Sequence, residues 1–224
     1  MAHYEIEIKS LLGTKEAADA FIEKMQSVDA KLQITNTNTQ LNHYFTAGDV
    51  HALYSLLLPF FKPEQERAFM EVIEKGKDLS VRTRQKDAEV LLVIKAALDG
   101  GTSANSVTRL EFEEALTLTL AELDAMLEAT GFMYQAKWSR ERVEYAYKGI
   151  TVCLDKNAGY GYLAEFETVT DDEASLPAVR TVLEAAMQEL GVEELSQDRL
   201  ARMFAYYNEK WPEYYGTDKT FILE

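Results

Sequence analysis

Residues 3–9 alternate without a break, with His3, Glu5, Glu7 and Lys9 on one side and Tyr4, Ile6 and Ile8 on the other. A period of two sends successive side chains to opposite faces of a strand. The same mixture of acids and bases on one strand face recurs at Arg82/Arg84, Lys95, Arg109/Glu111/Glu113 and Asp155 with Glu165/Glu167. Such faces are ordinary if each meets water. If they look at one another, they form a site for phosphate and metal. The fold depends on which of the two holds.

The opposite faces are apolar: Val81 beside the arginines, Leu110 and Phe112 beside the glutamates, Val152 and Leu154 beside Asp155, Phe166 between Glu165 and Glu167. For any single strand, apolar-in and charged-out is the normal arrangement. The joint pattern points the other way. Like charges two residues apart repel unless something opposite lies between them, and here acid pairs and base pairs fall on different strands. Closing the sheet would interleave them. Amphipathic patterns at 14–28, 119–130, 175–190 and 196–210 need an apolar surface to cover, and the outside of a barrel offers one. The expected class is α+β, an eight-stranded antiparallel closed β-barrel with an ionised lumen and helices packed outside.

Along the chain, strands are expected at 4–12, 31–46, 79–85, 89–97, 107–115, 132–148, 150–155 and 161–169. Thr119 with Glu122 reads as a capping box, Lys148-Gly149 as a hairpin turn, and Thr14, Ser175 and Ser196 as helix caps. His51–Phe61 and Glu64–Lys75 look helical, an insertion at 49–77 that could cover one mouth or form a dimer surface. Asp99-Gly100-Gly101 reads as a loop, and 175–224 as a C-terminal helical segment whose aromatic tail lies on the body. No repeat or linker interrupts 1–224, so one domain is expected.

The 224 residues, 47% hydrophobic, suffice for a sizeable core. A net charge of −15 repels nucleic acid and anionic membrane, so an anionic ligand needs a local basic cluster or metal cations. The single cysteine, Cys153, permits no intrachain disulfide and fits a reducing compartment. No secretory pattern or apolar run of about 18 residues is present, so a cytoplasmic protein, monomer or homodimer, is expected. A carboxylate set suits Mg²⁺ or Mn²⁺, and Arg and Lys suit phosphate oxygens.

These residues resemble the CYTH superfamily, the triphosphate tunnel metalloenzymes, which include class IV adenylate cyclases, thiamine triphosphatases and inorganic tripolyphosphatases. The resemblance runs through Glu5-Ile-Glu7-Ile-Lys9, Arg82-Thr-Arg84, Lys95, Arg109-Leu-Glu111-Phe-Glu113 and Leu154-Asp155 … Gly159-Tyr-Gly161 … Glu165-Phe-Glu167. It implies a tunnel that binds triphosphate with Mg²⁺ or Mn²⁺. Carried over by position, Glu5, Glu7, Glu111, Glu113, Asp155, Glu165 and Glu167 form the metal set. Lys9, Arg82, Arg84, Lys95, Arg109 and one or more of Lys137, Arg140 and Arg142 form the phosphate set. Tyr44 with Lys95 is the candidate pair for activating water.

The resemblance leads to hydrolysis of a triphosphate compound, whether inorganic, thiamine-linked or nucleoside. The alternatives are an adenylate cyclase, which would release pyrophosphate and cyclic AMP, and a polyphosphate or nucleotide binding module without turnover. Other residues get plainer readings: Glu114, Glu144 and His3 as surface, His43 and His51 as non-ligands, Cys153 as an ordinary thiol lining the lumen, Gly159-Tyr-Gly161 as a turn, and Trp211, Tyr214 and Tyr215 as packing.

Overall fold

The computed structural model describes residues 4–97, 109–170 and 172–223. The side chains of Tyr4, Glu5, Arg109 and Glu173 lie outside the described residues, as do His3 and the expected loop at 99–101. The elements are β1 (Tyr4–Gly13), α1 (Lys15–Val28), β2 (Gln33–Ala47), α2 (Val50–Leu57), α3 (Pro63–Lys75), β3 (Lys77–Lys86), β4 (Glu89–Ala97) and β5 (Arg109–Leu116). They continue as α4 (Leu120–Ala129), β6 (Phe132–Tyr147), β7 (Ile150–Asn157), β8 (Gly161–Thr170), α5 (Leu176–Leu190) and α6 (Gln197–Tyr214).

The strands form an eight-stranded sheet in the order β1-β8-β7-β6-β2-β3-β4-β5, with antiparallel pairing of β1 with β8, β8 with β7, β7 with β6, β2 with β3, β3 with β4 and β4 with β5. That order has β1 and β5 at its ends, so the expected closure into a barrel is not part of the described pairing. The chain packs as two compact units. The first takes residues up to Thr39 and from Ser139 onward. The second takes Gln40 to Ala97 and Arg109 to Trp138.

In the first unit one face of β1, β8 and β7 is apolar. Ile8, Phe166 and Val152 are fully buried there against Phe21 and Met25 of α1 and Leu183 and Met187 of α5. Phe21 meets Phe166 edge-on, ring centroids 6.0 Å apart. Thr14 caps α1 by accepting from Ala17 N. Lys148 and Gly149, with φ of 45° and 87°, make the two-residue turn expected between β6 and β7. The tail packs on the turn between β7 and β8: Gly159 pairs with Thr220, and Phe221 stacks edge-on against Tyr160.

Two expectations change here. Ser175 does not cap α5, because its backbone is already helical and its hydroxyl donates to the Asp172 carbonyl. The last helix continues through Pro212 to Tyr214.

In the second unit α3 packs on β4 and β5, and α4 on β3. Phe69 of α3 meets Phe112 of β5 edge-on at 5.3 Å. The segment 49–77 therefore contributes to this unit's core. The reciprocal capping box of Thr119 and Glu122 opens α4 as expected. That helix carries Asp124, buried, whose carboxylate accepts from the Thr83 hydroxyl at 2.6 Å and the Tyr134 hydroxyl at 2.8 Å and meets His43 Nδ1 at 2.7 Å. His43 is thus a structural partner. Among the described residues no helix is long and apolar enough to cross a membrane.

Burial pushes the Asp124 pKa up, but the bonds from His43, Thr83 and Tyr134 outweigh it and hold it below the ordinary value of 3.8. A carboxyl with a depressed folded pKa stabilises the fold above its unfolded pKa and loses that contribution as pH falls. Asp124→Asn is therefore expected to cost about 1–3 kcal/mol at pH 7. Urea unfolding at pH 7 and at about pH 3 should show the gap to wild type narrowing in acid, as the wild-type carboxyl takes up its proton.

Candidate functional site on the charged strand faces

Residues directly opposite in an antiparallel ladder share a face. In the first unit the register pairs Glu7 with Glu167, Lys9 with Glu165, Cys153 with Glu165 and Arg142 with Asp155. These residues lie together on the face that α1 and α5 do not cover. The face is nonetheless buried: Asp155 is 0% exposed, Glu165 6% and Arg142 8%.

Buried charge needs partners, and here they are dense. Arg142 donates through Nε and Nη2 to the two oxygens of Asp155, both at 2.7 Å, and through Nη2 to Glu165. Arg140 Nη1 adds a bond to Asp155 at 2.8 Å. Lys9 Nζ lies 2.7 Å from Glu7 and 3.5 Å from Glu165. Burial pulls the Arg142 pKa down, but Asp155 and Glu165 outweigh it and hold it well above the ordinary value. Burial pushes Glu165 up, and Lys9, Arg142 and Arg140 outweigh that and hold it far below the usual carboxylate range. Burial pushes the Cys153 thiol up too, and the Glu167, Glu165 and Asp155 carboxylates add to this against Arg142, so it stays protonated and is no nucleophile.

Of the seven carboxylates expected to hold metal, the structure brings three together. Oxygens of Glu7, Glu165 and Glu167 lie within 4.8 Å of one another. Three hard oxygen donors at that spacing fit a hard divalent cation. Asp155 is engaged differently, since both its oxygens accept from guanidinium groups. The side chain of Glu5 lies outside the described residues, although its backbone pairs with Val169.

In the second unit the charged face carries Arg82, Arg84, Lys95, Glu111 and Glu113. Lys95 pairs with Glu111 across β4 and β5. Arg84 is bonded on two sides, Nε to the Asn42 side-chain oxygen and Nη1 to Glu113, both at 2.7 Å. Arg82 Nη1 donates to the Tyr44 hydroxyl at 2.9 Å, its guanidinium lies 4.5 Å from the centre of that ring, and its buried Nε has no partner among the described residues. Burial pushes Glu113 up, but Arg84, Lys95 and Arg82 outweigh it and lower its pKa. Tyr44 and Lys95, the expected water-activating pair, stand on strands separated by β3 and are offset by two residues along them, roughly 12 Å apart at the backbone.

Lys137 places its ammonium 4.0 Å from the centre of the Tyr134 ring. Tyr134 and Trp138 have the same parity, yet Tyr134 touches His43 and Phe45 while Trp138 touches Tyr44, on the other face of β2. Strand β6 changes phase between them, which explains why parity alone could not sort Lys137 from Arg140 and Arg142. The backbone of Arg109 pairs with Ala97, and its side chain lies outside the described residues.

Sequence reasoning missed the row of amides on β2. Asn36, Asn38, Gln40 and Asn42 share the parity of Tyr44, and the last three are 3% exposed. Asn36 and Asn38 donate to Glu144, at 3.2 and 3.4 Å, so Glu144 belongs to the charged face and not to open surface. Glu114, also expected as surface, accepts from Gln65 of α3 on the helix-covered side. The available signal was the alternation Thr35-Asn36-Thr37-Asn38-Thr39-Gln40, with the threonines exposed.

Asn42 and Tyr44 hold two arginines without neutralising them. Asn42→Asp keeps the shape and adds a charge beside Arg84. It is expected to leave the melting temperature near wild type, because the added carboxylate pairs with the Arg84 guanidinium that Asn42 already holds. Thermal unfolding checks this.

Residues 64–201 match the CYTH domain. Solved structures with the same fold include a conserved protein from Pyrococcus furiosus, 17% identical with a TM-score of 0.60, where the match covers 87% of this chain and 98% of the other. A candidate adenylate cyclase from Vibrio parahaemolyticus is 20% identical with a TM-score of 0.56, covering 90% and 99%. A candidate adenylyl cyclase from Hippeastrum, described as having a dominant triphosphatase activity, is 18% identical with a TM-score of 0.52, covering 90% and 96%. No curated protein matches the sequence.

Proposed function

Since the chain belongs to the CYTH domain family, we propose that it hydrolyses a triphosphate compound with the help of a divalent cation, Mg²⁺ or Mn²⁺. The observation that carries this reading is the charged face, carboxylates interleaved with guanidinium and ammonium groups, on the side of each unit's strands that the helices leave uncovered, with Asp155, Glu165 and Arg142 buried on the first unit and Arg82 and Arg84 on the second. Surface ion pairs need no such burial, and buried charge is costly without a ligand or a partner to justify it.

In this reading Glu7, Glu165 and Glu167 hold the cation on the first unit's charged face, where its contribution when bound is positive charge. On the second unit's face Arg82, Arg84 and Lys95 bind phosphate oxygens, Arg82 through the face not taken by Tyr44. Lys9, Arg140 and Arg142 hold the carboxylates in place and supply positive potential. Phosphoryl transfer is largely positioning plus charge stabilisation, which these residues provide. Arg109 joins the phosphate set by its place on β5, and Glu5, Glu111 and Glu113 remain with the acidic set. Tyr44, bonded to Arg82, acts first as the holder of that arginine.

The test is incubation of the full chain with Mg²⁺ or Mn²⁺ and, separately, tripolyphosphate, thiamine triphosphate and ATP, with products resolved by phosphorus NMR. Orthophosphate is expected, and Glu7→Gln should lower kcat by about 10² or more with the fold retained. Cyclic AMP with pyrophosphate would replace hydrolysis by cyclisation. Binding of a triphosphate with no product would leave a binding module.

A further inference from the structure

Within the second unit a cavity of about 370 Å³ opens where β2 ends and β3 begins, and no part of the charged set fills it. Its size is within the roughly 300–1,000 Å³ of small-molecule sites. Phe45, Val81 and Phe132 give it apolar walls, and Thr46, Ser80 and Gln135 give it polar groups. One wall is fixed. Gly48 has φ of 82°, and a Cβ there would come within 2.3 Å of the Phe132 ring, so ring and backbone are pressed together. The positive φ favours glycine as well.

The cavity's place is informative. Ser80 pairs directly with Lys95 and precedes Arg82 by two residues on the same strand face. Thr46 follows Tyr44 by two residues in the same way. The polar side of the cavity thus begins about 7 Å along the strands from the Tyr44–Arg82 pair, level with Lys95. Anion-binding groups and a ring-sized, partly apolar recess therefore follow one another along one strand pair.

We infer that this cavity receives the planar heteroaromatic ring of an organic triphosphate whose phosphates lie on Arg82, Arg84 and Lys95. This rests on the proposed function and narrows its substrate class: an inorganic chain of phosphates would leave the recess unused. The aromatic and aliphatic walls suit the ring faces. The hydroxyls of Thr46 and Ser80 and the amide of Gln135 suit nitrogen and oxygen at the ring edge. A pentose or a short alkyl chain spans the interval between ring and phosphate.

The experiment compares affinity for the hydrolysis-resistant imido analogues of ATP and of tripolyphosphate, by calorimetry with Mg²⁺, in wild type, Thr46→Trp and Gln135→Leu. Thr46 and Gln135 are exposed, so both changes are tolerable to the fold, and circular dichroism verifies it. Wild type should bind the ATP analogue more tightly than the tripolyphosphate analogue. Thr46→Trp should weaken the ATP analogue about tenfold or more and leave the tripolyphosphate analogue within about twofold. Adenosine and thiamine as competitors then separate a nucleobase from the rings of thiamine. Equal weakening of both analogues, no weakening of either, or wild-type binding of the ATP analogue no tighter than the inorganic one overturns the inference. The two readings fail separately. Orthophosphate released from tripolyphosphate together with an indifferent cavity leaves the proposed function standing. Selective loss of the ATP analogue in a chain that releases no orthophosphate leaves the cavity standing.

Discussion

A buried guanidinium is tolerable only when carboxylates surround it, and Arg142 imposes that condition on the first unit. With 8% exposure and three bonds to Asp155 and Glu165, it requires β6, β7 and β8 in one register, since a slip of one residue would send each side chain to the wrong face. The opposite faces of the same strands must then be apolar and covered. Ile8, Val152 and Phe166, fully buried under α1 and α5, meet that requirement. Apolar burial supplies the stability, and the ion pairs supply the register.

The two units divide the charge unequally. On the first, the carboxylates Glu7, Glu144, Asp155, Glu165 and Glu167 outnumber Lys9, Arg140 and Arg142. On the second, Arg82, Arg84 and Lys95 outnumber Glu111 and Glu113 among the side chains described. Strand β2 supports this division with neutral partners, Asn36 and Asn38 against Glu144, Asn42 against Arg84 and Tyr44 against Arg82. A neutral acceptor fixes a guanidinium while leaving its charge available to an anion, which a carboxylate in the same place would not do.

Much of this was legible in the chain. The strict alternation of Glu5 to Lys9 and of Arg109 to Glu113 located strands and their charged faces, because parity on a strand is local. Thr14, Thr119 with Glu122, and Lys148-Gly149 marked ends and turns through bonds that span only a few residues. Legibility ended where an outcome depends on distant groups. Ser175 looks like a cap, yet its backbone is drawn into the preceding turn. Asp155 looks like a metal ligand, yet both its oxygens are taken by arginines brought from β6. Lys137 could not be sorted from Arg140 because β6 changes phase along its length.

By itself the sequence determined which residue types share a strand face, where helices begin and that acids and bases alternate between strands, since all of these follow from the backbone's period and from short-range bonds. Only the tertiary structure decided that Asp155, Glu165, Arg142, Arg82 and Arg84 are buried, that Glu7, Glu165 and Glu167 converge, that Asn42 and Tyr44 of β2 hold two arginines and that a recess opens beside Ser80. Those outcomes depend on which strands lie side by side and in what register. That choice is made by the summed burial of faces far apart in the chain, and no local pattern contains it.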